Sequence, residues 1–364
     1  MTATFTHLIT LEPLGLLYGS AGRFLSPENL VGRSGTQFPP SAATLSGLLA
    51  AALGNEAVQT LQLAGPFWAK THQPHAPFVP TPFHLLAQLN PTADADGFWR
   101  GQVQQRLAWH PGENPGRDDG RWQAHPTQSS QTSGEDESTI TSKPTTDTWM
   151  PLADWDNPTV VYAAPWQFLP HLHPRLKDDE RHVAETAEGQ GSLFLENSVQ
   201  LHPDVCLVYL SNLALDEGWY RFGGEGHLVD LHCHPIPADL AQRLAQPLGH
   251  SFALLTHGLW GSNRFSHRYP EAWEHPPQAL LTQRAIPVRH RLGGPPGQPK
   301  RLSRGRYAVP AGTVYIMPDE FPPWPQWDET WFATESRPAQ TRTGFTTKRW
   351  GCGLALPLPD AIAS

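Results

Sequence analysis

Phe38-Pro39-Pro40-Ser41, running straight into Ala42-Ala43-Thr44-Leu45-Ser46-Gly47-Leu48-Leu49-Ala50-Ala51-Ala52-Leu53, decides how this chain is read. Two prolines hold the approach extended, because the residue ahead of a proline is pushed out of the helical region. Ser41 then stands where a helix cap stands, its hydroxyl within reach of a first-turn amide. Leu45, Leu48, Leu49, Ala52 and Leu53 recur at helical spacing and form one apolar stripe. The other face holds Thr44, Ser46, Gly47 and alanines, with no charge before Glu56. So small a surface suits close approach by another backbone, of protein or of nucleic acid. Taken alone, the segment reads as an ordinary buried helix.

The chain is long enough, at 364 residues, for two domains. Its 38 prolines and 31 glycines call for many turns and long irregular connections. No run approaches the roughly 18–20 apolar residues that span a membrane. Met1-Thr2-Ala3-Thr4-Phe5-Thr6-His7 has neither the basic start nor the apolar core of a signal peptide. Cys206, Cys233 and Cys352 are odd in number and far apart, which implies no disulfide framework and suits a reducing cytoplasm. His232-Cys233-His234 invites a metal reading, but strand alternation aims the two histidines to one face and the cysteine to the other. No metal and no cofactor is expected.

A formal net charge of −8 speaks against a polyanion ligand at first sight. Its distribution answers that objection. Residues 281–318 contain Arg284, Arg289, Arg291, Lys300, Arg301, Arg304 and Arg306 and no acid. Residues 336–359 add Arg337, Arg342, Lys348 and Arg349, again without an acid. Local potential governs attraction over a Debye length of about 8–10 Å, so these stretches read as a phosphate track or as solvated basic loops. Much of the negative charge lies instead in residues 110–148, which carry Glu113, Asp118, Asp119, Glu135, Asp136, Glu137 and Asp147. Rich in Ser, Thr, Gly and Pro, this insertion reads as disordered or as a long surface loop.

Strand patterns follow at 4–11, 193–195, 205–210, 227–234, 313–317 and 354–358, with a short helix at 237–245 whose Leu240 and Leu244 share a side. Residues 170–188, polar and rich in histidine, read as a loop or short helix joining the halves.

Seven blocks in order carry a resemblance. They are Tyr18-Gly19-Ser20-Ala21-Gly22-Arg23-Phe24, the helix entry from Phe38, Gly65-Pro66-Phe67-Trp68, Phe78-Val79-Pro80-Thr81-Pro82, Gly191-Ser192-Leu193-Phe194, Phe222-Gly223-Gly224-Glu225-Gly226, and Ala308-Val309-Pro310-Ala311-Gly312-Thr313-Val314-Tyr315. Together they resemble the RAMP superfamily and, within it, the subunit of Cmr-type (type III) CRISPR complexes that holds the 5′ handle of the guide RNA. The resemblance implies an α+β fold of two ferredoxin-like domains with antiparallel sheets. Residues 1–169 would form the first, interrupted by the insertion, 170–190 a connector and 191–364 the second. It also implies a non-catalytic RNA-binding subunit that contacts the CRISPR RNA, the large palm-domain subunit and a backbone RAMP subunit. Membership of a III-B complex or of a III-D relative stays open.

The glycine loops are the first candidate site. Gly223-Gly224-Glu225-Gly226 and Gly344-Phe345-Thr346-Thr347-Lys348-Arg349-Trp350-Gly351-Cys352-Gly353 can bring main-chain amides to an anion, since glycine has no Cβ in the way. The second resembles the C-terminal glycine-rich loop of RAMP proteins, with Lys348 and Arg349 set for phosphates. Neither matches a nucleotide fingerprint. Between 256 and 269, His257, Trp260, Arg264, Phe265 and Arg268 interleave rings and cations, as single-stranded RNA requires; a Trp-anchored loop on the core is the plainer alternative. The expected RNA contacts are Arg23, Ser41, Thr44, Gly223, Gly224, Arg264, Arg304, Arg306, Lys348 and Arg349. No nucleophile elbow, zinc helix or Cys-x-x-Cys pair occurs. A RAMP endoribonuclease would need a general base, for which His7 and His257 are the candidates, with Glu225 as an acid. A carbohydrate-active enzyme would need two carboxylates in the ordered core.

Overall fold

The computed structural model describes residues 4–18, 38–112, 120–126, 140, 146–174, 182–183, 193–223, 226–261, 267–292, 302–335 and 345–359. In the first part lie β1 (His7–Pro13), β2 (Leu17–Tyr18), α1 (Ala42–Leu53), β3 (Leu63–Lys70), β4 (Phe78–Pro80), β5 (Leu85–Leu89), β6 (Arg100–His110), β7 (Arg121–Pro126), β8 (Thr148–Pro151), β9 (Val160–Ala163) and β10 (Trp166–Pro174). Then come β11 (Leu193–Leu201), β12 (Val205–Ser211), β13 (Gly218–Phe222), β14 (His227–Pro235), α2 (Ala238–Leu244), β15 (Gly249–Leu254) and β16 (Ala279–Leu281). The last are β17 (Ile286–Val288), β18 (Arg306–Ala308), β19 (Val314–Phe321), β20 (Thr334–Glu335), β21 (Phe345–Thr346) and β22 (Ala355–Pro357). None of the helices described is long and apolar enough to cross a membrane.

The main sheet runs β13-β14-β1-β12-β3-β4-β8-β9-β6-β5, with β7 also paired to β6. At its head, β1 lies antiparallel between β12 and β14, and β12 pairs antiparallel with β3. Taken in chain order, these four strands stand fourth-first-third-second, the order of a ferredoxin-like sheet. A smaller sheet, β16-β19-β15-β22, repeats that order with antiparallel pairs. Of the α+β fold expected, the helical part is small: α1 and α2 are the only α-helices among the described residues, and the fold is mostly antiparallel sheet. The expected division near 191 also fails to separate the sheets, because β12 and β14, beyond it, hydrogen-bond directly to β1.

All seven residues of β12 are buried, as befits a central strand covered on both faces. Alternation sends Leu207 and Tyr209 toward α1, where Leu45, Leu48 and Leu49 meet them. Cys206, Val208 and Leu210 face the other way, into the core shared with Phe252, Leu254 and Leu356 of the smaller sheet. Each buried leucine of α1 contributes roughly 1.5–3 kcal/mol. The stripe ends before the sequence pattern does, for Leu53 is 39% exposed. Ser41 occupies the N-cap with extended backbone, yet its side chain makes no cap hydrogen bond; the Thr44 amide bonds to the Ser41 carbonyl instead.

Two further expectations change. The insertion contains an ordered strand, β7, laid along β6. The polar segment after 170 begins as strand, since β10 pairs with β11 over Trp166–Pro174. The tryptophans next to prolines, Trp324 and Trp327, are buried core residues: Trp327 joins Trp260, Trp273, Phe252 and Phe332 in one aromatic cluster, and Trp324 stacks on Phe5.

The C-terminal glycine loop is shaped by this packing. Gly351 has φ +69°, and a Cβ there would meet the Cα of Ala64 at 2.4 Å and the carbonyl oxygen of Leu63 at 2.6 Å. Gly353, at φ +69°, lies as tightly against Trp260. Gly351→Ala is therefore expected to lower stability by about 2–4 kcal/mol, combining backbone strain with overpacking against β3. Urea unfolding of the purified variant checks this; an unchanged midpoint would refute it.

Candidate nucleic-acid interface

β1 and β3 both run antiparallel to β12, so they are parallel to each other and α1 returns between them. The start of α1 therefore lies at the end of the sheet where β1 finishes. At that end β14 begins, since Pro13 pairs with Val229 and the Leu14 amide bonds to the Leu228 carbonyl. The β13–β14 turn is there too, with Gly223 and Gly226 at φ +78° and +68° and the Gly226 amide on the Gly223 carbonyl at 3.3 Å. β2 continues from β1 and pairs with β11, and Phe38 meets Trp166 of β10 edge-on, 5.1 Å between ring centroids. Ser41, Thr44 and Gly223, scattered in sequence, thus share one end of the sheet. The first turn of α1 contains no acid, and no described residue lies within 4 Å of where a Cβ on Gly223 would stand. Arg23, Gly224 and Arg264 lie outside the described residues, as do Glu225 and Phe265.

Arg349 and Lys348 belong to the opposite end. Arg349 donates from Nε to the Leu61 carbonyl at 3.2 Å and from its terminal nitrogen to the Val58 carbonyl at 2.6 Å. Those carbonyls follow the C-terminus of α1, about 18 Å along the helix from Ser41. Lys348 is buried, its ammonium donating to the carbonyls of Trp327 at 2.5 Å and Pro325 at 3.0 Å. The rings of Trp324 and Phe332 lie beneath it, centroids at 5.5 and 5.9 Å. Burial holds its pKa below the usual lysine value, against the pull of Glu329 and Asp328. An ammonium so enclosed is a strut of the aromatic core rather than a phosphate hand.

Arg306 is likewise turned inward. It is 5% exposed and paired with Glu335, itself 3% exposed. Its other terminal nitrogen donates to the Thr334 carbonyl at 2.9 Å. Burial pushes the Glu335 carboxyl up, and the Arg306 guanidinium pulls it back. The glycine loop's amides are also engaged within the fold: Gly351 on Lys348, Cys352 on Thr347, Gly353 on His257 and Leu354 on Gly351. The sequence expectation of a cationic glycine cradle at 344–353 is thus corrected over the described residues 345–353. Arg304 alone of the expected basic contacts described is exposed, with Arg284 and Arg291 exposed nearby in sequence.

The candidates for chemistry fare similarly. His257 is half-buried, and desolvation pushes its pKa down to about 4. Its Nε2 lies 3.6 Å from the Cys352 sulfur, whose thiol burial raises to about 12. Trp260, 4% exposed, packs against Trp327 and Phe332 and offers no face to a base, so the Trp-anchored loop is what forms. His7 sits at the sheet surface with Nδ1 2.8 Å from the Thr6 hydroxyl. His232 and His234 do share one face, ring centroids 6.3 Å apart, while Cys233 packs toward α1. No cluster of three or more His, Cys, Asp or Glu able to hold a metal occurs among the described residues.

A family model described as CRISPR-associated protein (Cas_Cmr3) matches residues 16–358. No curated protein matches the chain. Among solved structures, a chain of the type III-B Cmr-beta complex bound to cognate target RNA and AMPPnP is similar at 10% identity, covering 85% of this chain and 86% of its own, with TM-score 0.47. A chain of the Csm1-Csm4 cassette in complex with pppApA is similar at 10% identity over 98% and 99% of the two chains, with TM-score 0.36. One from the Csm3-Csm4 subcomplex of the type III-A interference complex covers 87% and 94% at 10% identity, TM-score 0.33.

Proposed function

The chain belongs to the Cas_Cmr3 family of CRISPR-associated proteins, subunits of type III effector complexes, and from that premise we propose that it is the non-catalytic subunit that anchors the 5′ handle of the CRISPR RNA. In the assembly it bridges the large palm-domain subunit and the first backbone subunit, in the cytoplasm. We read its two sheets of fourth-first-third-second order as two ferredoxin-like domains with few helices.

One observation carries the RNA assignment beyond the family. The acid-free start of α1, whose first-turn amides receive no cap hydrogen bond from the Ser41 side chain, stands at the same sheet end as the Gly223 turn. Helix N-termini attract phosphate through these amides and the helix dipole. Ser41, Thr44 and Gly223 hold the backbone there; Arg23, Gly224 and Arg264, outside the described residues, and the exposed Arg304 are further proposed contacts. Arg306, Lys348 and Arg349 brace the fold away from that end. This moves the site from the C-terminal glycine loop to the N-terminal sheet.

Ser41→Asp separates binding from folding. A carboxylate at the N-cap stabilises the helix by up to about 1 kcal/mol but repels a phosphate. The variant should melt no lower than the parent and bind labelled handle RNA about tenfold more weakly in moderate salt. Equal affinity in a fluorescence-anisotropy titration would remove α1 from the site.

A further inference from the structure

We infer that the outer face of β13, β14 and the end of β1 is a docking surface for a protein segment bearing lysine or arginine beside an apolar anchor. The inference deepens the reading above and rests on it, since it names the chemistry of a partner within the assembly.

Register builds this face in three rows. Leu14 and Leu228 meet across β1 and β14, with Arg221 of β13 opposite Leu228. Glu12 and Asp230 stand directly opposite each other, with Trp219 beyond Asp230. In the third row His232 approaches Asp230 at 3.8 Å and Glu217 at 3.7 Å. The reverse sides of these strands, Phe222, Val229 and Leu231, are packed against α1, so the face is held rigid from behind.

Two features of this face are costly for a surface left in water. Trp219 is 71% exposed, with Leu228 at 46% and Leu14 at 49% exposed. Apolar side chains gathered in this way mark binding surfaces more than isolated ones do. Glu12 and Asp230 are directly opposite across a strand pair, a like-charge arrangement that destabilises a sheet. Among the described residues neither has a lysine or arginine ion partner. Glu217, 61% exposed, adds a third carboxylate. RNA fits poorly here, because a stacked base on Trp219 would bring its phosphates among three acids. A cationic polypeptide fits on both counts. Its lysine or arginine relieves the Glu12–Asp230 repulsion, and its aliphatic or aromatic side chain covers Trp219 and Leu228. β13 ends the main sheet, and no described strand pairs with its outer edge. The segment therefore has main-chain hydrogen bonds available as an added strand.

Asp230→Lys is the informative variant. It turns the repulsion with Glu12 into attraction, so the fold is retained and the surface charge alone reverses. The variant and the parent are co-expressed with the large palm-domain subunit, the backbone subunit and a CRISPR RNA, and the tagged chain is recovered. Retention of one protein subunit should fall at least tenfold, while handle-RNA affinity of the isolated chain stays within twofold. Amides of β13 should also exchange at least tenfold more slowly in the parent assembly than in the isolated parent chain. Full retention together with unchanged exchange would overturn the docking surface and leave the handle-binding role standing. A fall in RNA affinity equal to the fall in retention would also overturn it, by making the face part of the RNA site. A parent that recovers neither subunits nor RNA would overturn the proposed function and this inference together.

Discussion

Arg306→Ala is expected to lower the stability of the fold by about 3–5 kcal/mol, the cost of leaving a buried carboxylate unpaired. Glu335 is the carboxylate in question, enclosed with Arg306 beneath the β17–β18 and β20–β21 pairs. Removal of the arginine also leaves the Thr334 carbonyl without the guanidinium that now donates to it. The paired change Arg306→Met with Glu335→Leu should recover most of the loss, because apolar residues of similar volume often replace a buried ion pair without penalty. Guanidinium unfolding of both variants gives the comparison. The experiment also decides what this arginine is for. A phosphate contact would cost RNA affinity and leave the unfolding midpoint alone, whereas a core ion pair does the reverse in the isolated chain.

Mild acid should act on the same core. His84 and His290 are buried and His257 is half-buried, and burial lowers their pKa values to about 3, 3 and 4 respectively, with nearby charge adding to the shift at His84 and His290. Above about pH 6.5 each is neutral in both folded and unfolded chain and contributes nothing to pH dependence. Below it the unfolded chain takes up protons that the folded chain refuses, so stability falls as pH drops toward the folded values. Each histidine can supply about 1.36 kcal/mol per pH unit, or roughly 4 kcal/mol per unit for the three together. Against a total of about 5–15 kcal/mol for a folded protein, a fall from pH 6.5 to 5 removes a large share. Unfolding curves at pH 7, 6 and 5 test this, and His290→Gln should reduce the slope by about a third. Equal stability at pH 7 and pH 5 would contradict the burial of these rings.

Both results bear on how far residues can be read before folding. Local order was legible. Proline ahead of an apolar helical stripe gave α1, strand-like runs gave β1, β12 and β14, and alternation gave the facing pair His232 and His234. The ordered blocks from Tyr18 to Tyr315 gave the family, which the match over residues 16–358 bears out. The weak point was the inference from side-chain charge to surface position. Lys348 and Arg349 follow a glycine in an acid-free stretch, which is what a phosphate loop looks like. The same composition also suits a tight turn wedged between two sheets.

What the chain determined by itself was its periodicities, its turns and its kinship, because those depend on residues within a few positions of each other. What only the tertiary structure decided was which cations reach solvent. Lys348 ends among the carbonyls of Pro325 and Trp327, Arg306 beside Glu335, and Gly351 against Ala64, nearly three hundred residues away along the chain. Burial and pairing are set by such distant contacts, and no local pattern encodes them. The rows of Trp219, Asp230 and Glu12 arise in the same way, from strand register across the sheet.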